Sequence, residues 1–255
     1  MNLWAMLRKE LRELVSSYKL LFVPLTFALL GIMQPVTMKM LPQIMKTASN
    51  LPKGAVIQIP TPPPGEVMAG VLGAYSQIPL MVLVLTMMGA IAAERASGVA
   101  ATVLTKPVGR AGYFAAKAIA YSLLVTVSLL VGFAGSAYYT GVLIGPVDWQ
   151  NVAVAGLLYL PYLLLVVAAT LCFSAFMPSQ VAAGGTSIVT MMLLGFVPKY
   201  LGDFIASLYP GALTASATAV LIGNPSEIAK PLVGVLVLAL AFFIGGWMAL
   251  ERQEI

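Results

Sequence analysis

The longest uncharged run in the sequence constrains the fold more than any other feature. Residues 149–198 contain no Asp, Glu, Lys or Arg. As a single α-helix this run would be about 75 Å long, more than twice the roughly 30 Å thickness of a bilayer's hydrocarbon core. The run therefore predicts two membrane spans folded back on each other, with the turn at residues 177–180.

The composition also indicates a membrane protein. Of the 255 residues, 60% are hydrophobic and 9% are charged, whereas about 25% are charged in an ordinary soluble domain. Uncharged segments of sufficient length predict six spans, at residues 20–38, 75–93, 118–141, 152–176, 181–197 and 231–250. The predicted fold is an all-α membrane protein with six transmembrane helices in one domain, residues 1–255.

The sequence between the first two spans has the composition of a loop. Residues 39–73 contain three lysines and the run Pro62-Pro63-Pro64, which cannot continue a helix. We expect a solvent-side loop here, with at most a short helix near residues 41–48.

Two other segments are predicted to lie at the membrane surface or to cross it only in part. Residues 2–18 place leucines at helical spacing opposite charged residues, which predicts an interfacial amphipathic helix. Its expected anchors in the lipid headgroups are Trp4, Arg8, Lys9 and Arg12. Residues 203–227 are long enough to span but are interrupted at residues 210–211, so we expect a re-entrant helical stretch before the last span. A seventh span is the alternative.

The distribution of Lys and Arg predicts the orientation. With six spans, nine of these residues fall on the side that carries both termini and residues 94–117, and five fall on the other side. Because cytoplasmic loops are richer in Lys and Arg, both termini are predicted to lie in the cytoplasm of a multi-pass protein of the cell membrane. The cations flank apolar segments, so the expected partner of the basic charge is membrane lipid and not nucleic acid.

The residues that are absent limit the chemistry. The sequence contains no histidine and no Gly-Lys dipeptide, which excludes HExxH metal sites, Ser-His dyads and the phosphate loop GxxxxGK[ST]. We expect no catalytic residue, metal or cofactor in this chain. The spans also carry no obvious internal charge of the kind that marks proton-coupled carriers, so energy for transport is expected to come from a partner protein.

The charged segment between spans two and three carries a motif. It reads Glu94-Arg95-x-x-Gly98, followed by Leu104-Thr-Lys-Pro107, Arg110 and Tyr113-Phe-x-x-Lys117. This order resembles the pattern E-R-x-x-G, L-x-x-P-x-x-R, K that follows the second span of ABC-2 type transporter permeases. The interfacial helix, the six spans and the re-entrant stretch are also similar to that family.

The resemblance implies the membrane subunit of an ATP-binding cassette exporter. Such a permease works as a dimer, either a homodimer or paired with a homologue. It is driven by two copies of a separate ATPase chain, on which ATP and Mg²⁺ are expected. Carried over to this sequence, the ATPase-coupling residues are Glu94, Arg95, Gly98, Thr102, Leu104, Lys106, Pro107, Arg110 and Lys117.

Span five carries small residues that suit close helix packing or a dimer contact, namely Ala183, Gly184 and Ser187. The alternative to an exporter subunit is a stand-alone six-helix secondary carrier or a channel-like protein. In that case the charges of 94–117 would only anchor the loop at the headgroups. The sequence leaves the cargo open among an antibiotic, a lipid-like molecule, a peptide and an ion.

Overall fold

The computed structural model describes residues 3–48, 62–99, 109–224 and 227–252, and within these ranges it is helical and contains no strand. The helices are α1 (Leu3–Ser16), α2 (Lys19–Ala48), α3 (Pro64–Tyr75), α4 (Ile78–Met87), α5 (Ala92–Ala96), α6 (Arg110–Leu143), α7 (Trp149–Phe176), α8 (Gln180–Phe196), α9 (Asp203–Leu208), α10 (Pro210–Leu221) and α11 (Ala229–Arg252). A 3₁₀ turn, Pro198–Tyr200, follows α8.

Six helical stretches are long and apolar enough to cross a membrane. They are Lys19–Ile44, Pro64–Ala96, Arg110–Leu143, Trp149–Phe176, Gln180–Tyr200 and Ala229–Arg252. This confirms the predicted all-α fold with six transmembrane helices.

The first two spans are longer than predicted. Helix α2 continues through Pro35 and Pro42 to Ala48, so the short helix allowed near residues 41–48 is the end of the first span, and because α3 begins at Pro64 the loop prediction is wrong for residues 64–73. A proline inside a spanning helix is tolerated where neighbouring helices and local adjustments offset the lost backbone bond. At the first helical position, which Pro64 occupies, the missing N–H has no cost. Residues 49–61 lie outside the described residues.

The fourth span, α7, lies at the centre of the bundle. It packs against α4, α6, α8, α10 and α11. In its second half, residues 162–175, side chains on every face are buried, including Leu163, Val166, Ala169 and Leu171, whereas Leu157 in its first half is 69% exposed. A helix that is apolar on every face fits a position surrounded by other helices.

The described chain begins and finishes at the same end of the bundle. At this end α1 contacts α5, with Lys9 Nζ 2.7 Å from Glu94 Oε1. The first residue of α6 reaches the end of α11, with Arg110 Nη1 donating to the Leu250 carbonyl at 3.0 Å. We call this the charged end and the opposite one the far end.

Residues 203–221 form two short helices that break between Leu208 and Pro210. Helix α10 has 12 residues and measures about 18 Å, which is too short to cross a bilayer. Its end meets the start of α3, where Gly65 has no side chain to clash with the Leu221 carbonyl. The re-entrant position of this stretch and the interfacial position of α1 stay predictions.

Candidate functional site: an ion-pair cluster at the charged end

Helix α1 turns one face into the bundle. Met6, Glu10 and Leu14, which are four residues apart, are buried against the other helices. Three of the four predicted headgroup anchors, Trp4, Arg8 and Arg12, are exposed. The fourth, Lys9, turns toward carboxylates of its own chain instead.

The centre of the site is Lys117 in α6, whose side chain is 1% exposed. Its Nζ lies 3.0 Å from Glu10 Oε2 and 2.9 Å from Glu94 Oε1. Lys9 Nζ lies 2.7 Å from Glu94, 2.9 Å from Glu10 and 2.8 Å from Glu13. Two ammonium groups and three carboxylates therefore join α1, α5 and α6, and we call these five residues the ion-pair cluster.

Tyr113, one turn before Lys117, completes the surroundings of Glu94. Its hydroxyl donates a hydrogen bond to Glu94 Oε2, and its ring centroid lies 5.0 Å from Lys117 Nζ. A buried charge is stable only when it is paired and hydrogen-bonded. Each buried charge of the cluster meets this condition within the described chain.

The pKa of Lys9 follows from the same contacts. Burial by itself would lower the pKa of this amine, but hydrogen bonds to Glu13, Glu94 and Glu10 outweigh burial and raise the pKa above its ordinary value. Lys9 is therefore positively charged at any physiological pH.

The three carboxylates Glu10, Glu13 and Glu94 lie within 4.8 Å of one another, a spacing that metal ligands also show. Here Lys9 and Lys117 supply the positive charge that a cation would bring. The cluster therefore fits a structural ion-pair network.

Two arginines hold the ends of the segment between α5 and α6. Arg95 donates from Nη1 to the Ala175 carbonyl at 2.8 Å and from Nη2 to the Met177 carbonyl, at the end of α7. Arg110 donates to the carbonyls of Leu250 and Glu251 at the end of α11. The last carbonyls of a helix have no partner within that helix and carry partial negative charge, so a cation there is favourable.

The turn between α4 and α5 is fixed by Ser174 of α7. The serine Oγ accepts hydrogen bonds from the N–H groups of Ile91 and Ala92 at 3.0 and 3.1 Å and donates to the Met88 carbonyl at 2.8 Å. Beyond α5, Gly98 has a φ of +74°, a left-handed conformation that suits a residue without a side chain.

The structure brings together some of the predicted coupling residues. Glu94, Arg95, Arg110 and Lys117 lie at the charged end, and all four contact their own chain. Their role in coupling to an ATPase stays a prediction. The remaining predicted residues, Thr102, Leu104, Lys106 and Pro107, lie outside the described residues.

The small residues of span five are covered by the same chain. Ala183, Gly184 and Ser187 are buried, and a side chain at Gly184 would meet Met88 Sδ at 2.7 Å. Gly184 thus packs against the segment after α4, and all three residues are buried within the described chain.

Glu10 and Ser174 of the site were not singled out from the sequence, and Tyr113 was named there only as part of the motif. Glu10 carried a signal, because its spacing of four from Met6 and Leu14 places it on an apolar face. Ser174 carried none, because its partners are backbone groups more than 80 residues away.

Comparison with known proteins decides the family. Residues 4–233 match a family model described as ABC-2 family transporter protein. The chain belongs to the ABC-2 family. It is also similar to an uncharacterized transmembrane protein of Bacillus subtilis (strain 168), YxlG. The two are 29% identical over 199 residues, which cover 78% of this chain and 77% of that protein.

Membership of this family gives the chain its general role. It is a multi-pass membrane protein and the membrane subunit, or permease, of an ABC transporter, and its role is transport and not catalysis. Permeases of this family generally work with an ATPase subunit and dimerise.

Proposed function

We propose that the chain is the permease of an ABC exporter that moves its substrate across the cytoplasmic membrane. ATP and Mg²⁺ are bound by a separate ATPase chain, and the complex contains two permeases and two ATPases. The charged end faces the cytoplasm, because nine of the Lys and Arg residues fall on that side of the predicted topology.

The observation that carries the proposal is the way the segment between α5 and α6 is fastened. Its first flank is tied to α1 and α6 by the ion pairs of Glu94 and to α7 by Arg95. Its second flank is tied to α11 by Arg110. A force on this segment acts directly on three spans, which is what coupling to an ATPase requires.

This geometry refines the roles of the predicted residues. Glu94, Arg95, Arg110 and Lys117 position the coupling segment, and Gly98 ends α5 in a conformation that a side chain would disfavour. The surface that docks in the ATPase lies between Gly98 and Arg110, where the predicted Thr102, Leu104, Lys106 and Pro107 are found.

Affinity isolation from the native host tests the proposal. The tagged chain, extracted in mild detergent, is expected to bring down a nucleotide-binding ATPase in equal copies, and the complex should hydrolyse ATP. Glu94→Ala should reduce the amount of bound ATPase or uncouple its hydrolysis from transport. Lys230→Ala, which removes an exposed ion pair at the far end, should do neither.

A chain that reaches the membrane and brings down no ATPase, even after cross-linking, would overturn the proposal. The stand-alone secondary carrier would then be the better description. Orientation is tested separately with Ala100→Cys in a Cys172→Ala background. An impermeant maleimide should label this variant only from the cytoplasmic side, and labelling from outside would reverse the topology.

A further inference from the structure

The second span is broken in its middle. Helix α3 ends at Tyr75 and α4 begins at Ile78. Pro79 has no N–H, so the Tyr75 carbonyl lacks the donor that a continuous helix would supply. Contacts to other spans hold the break: the Tyr75 hydroxyl donates to the Phe27 carbonyl at 3.0 Å, and Ser76 Oγ lies 3.0 Å from the Tyr159 hydroxyl.

A groove of about 400 Å³ lies beside this break, between α2 and the broken span. Gln34 of α2 and Gln77 of the break bring side-chain amides to it, and Gly70 and Gly73 form part of its wall. The Gln34 amide nitrogen lies 2.5 Å from the position that a Cβ of Gly70 would occupy. A larger residue than glycine would therefore displace this amide.

The two amides lie deep in the predicted membrane. Gln34 comes 15 residues after the start of the first candidate span at Lys19, and Gln77 comes 13 residues after the start of the second at Pro64. At 1.5 Å per residue these positions are about 22 and 20 Å from the opposite ends of the bundle. Both glutamines therefore lie at the depth of lipid tails, which offer no hydrogen bonds.

Neither side-chain amide has a hydrogen-bond partner among the described residues of the chain. An amide left unpaired in hydrocarbon costs several kcal/mol, so a polar partner from outside the described chain is favourable here. The groove is concave and has the volume of a small-molecule site.

We propose that this groove binds the polar group of a transported molecule, and that this group is neutral and carries hydroxyls or amides. The inference rests on the proposed exporter function. The lining within the described residues is uncharged, and burying an ion against amides alone is costly in a medium of low dielectric constant. Leu30 and Ile78, which also line the groove, suit an apolar tail, so the substrate class is a neutral amphiphile.

Protection of an introduced thiol tests the proposal in the full chain. Gly73→Cys in a Cys172→Ala background places the thiol in open space, since no atom lies within 4 Å of the Gly73 Cβ position. The protein is reconstituted in nanodiscs and labelled with a water-soluble maleimide. The probes are octyl glucoside below its micelle concentration and, with the same chain length, octanoate and octyltrimethylammonium.

We expect labelling in the absence of probe, slower labelling with octyl glucoside, and little change with the two charged probes. Gln34→Leu combined with Gln77→Leu removes two hydrogen bonds and should weaken the protection by about tenfold or more. Gln150→Leu, the same change outside the groove, should leave it unchanged.

Three results would overturn the proposal. If the thiol did not react at all, lipid would seal the groove. If all three probes protected it equally, the groove would recognise only the apolar tail. If the paired Gln→Leu change yielded monomers, a second copy of the chain would fill the groove. The labelling needs no ATPase. Its failure is therefore distinguishable from a failure of the ATPase isolation that tests the exporter function.

Discussion

Replacement of Lys117 by methionine should destabilise the protein strongly. Lys117 is 1% exposed and pairs with Glu10 and Glu94 at 3.0 and 2.9 Å. The five residues of the ion-pair cluster carry a net charge of −1, from two ammonium groups and three carboxylates. Lys117→Met makes this −2 and removes one of the two ammonium groups that pair with the buried Glu10, leaving Lys9 at 2.9 Å. Breaking a buried pair in this way typically costs about 3–5 kcal/mol, and we expect a loss of that size in the free energy of unfolding by SDS in mixed micelles.

Two further variants show whether the charge is the cause. Lys117→Met combined with Glu10→Gln restores the net charge of −1 and should recover most of the loss, since the excess of one carboxylate is then the same as in the wild type. Lys230→Met removes a pair whose side chains are 54% and 58% exposed, and should cost at most about 1 kcal/mol. If Lys117→Met cost no more than Lys230→Met, the cluster would be hydrated and the reasoning would be refuted.

Three other predictions concern packing. Each is checked by the melting temperature, measured as the temperature at which the single buried cysteine becomes reactive. Ser174→Ala leaves two buried N–H groups unpaired and should cost about 1–3 kcal/mol; an unchanged melting temperature would show that water replaces the hydroxyl. Gly31→Ala places a Cβ 2.7 Å from a serine oxygen of α6 and should cost about 1–3 kcal/mol, whereas Gly135→Ala, with its nearest atom at 3.9 Å, should be neutral or slightly stabilising. Gly184→Leu should lower the melting temperature more than Gly185→Leu, because only Gly184 is in contact with another helix.

The number of spans could be predicted because an apolar run of about 20 residues is a direct signal of a spanning helix. The bounds of the first two spans could not. The run Pro62-Pro63-Pro64 was interpreted as unable to continue a helix, yet Pro64 begins α3, and α2 continues through Pro35 and Pro42. What decides the outcome is packing against neighbouring helices, for instance the burial of Met68 and Leu72, and a single segment does not carry this information.

The position of the charged motif was also predictable, but not its contacts. Glu94 and Lys117 were identified from the resemblance of the motif to the family pattern, and the structure joins them at 2.9 Å. Their third partner, Glu10, is 107 residues from Lys117, and no local pattern relates positions so far apart. The side chain that a charge at a span end meets therefore depends on which helix covers it.

The long separation within the ion-pair cluster has a consequence for how the protein is made. Glu10 leaves the ribosome 107 residues before Lys117, a delay of roughly 5–20 s at common rates of synthesis. During that time α1 has no cation from α6 to hold it. The first two spans must enter the bilayer while α1 is still undocked. Helix α1 can form its ion pair with Lys117 only after the third span has been made. A fault in the cluster would therefore first appear as degradation of newly made chains.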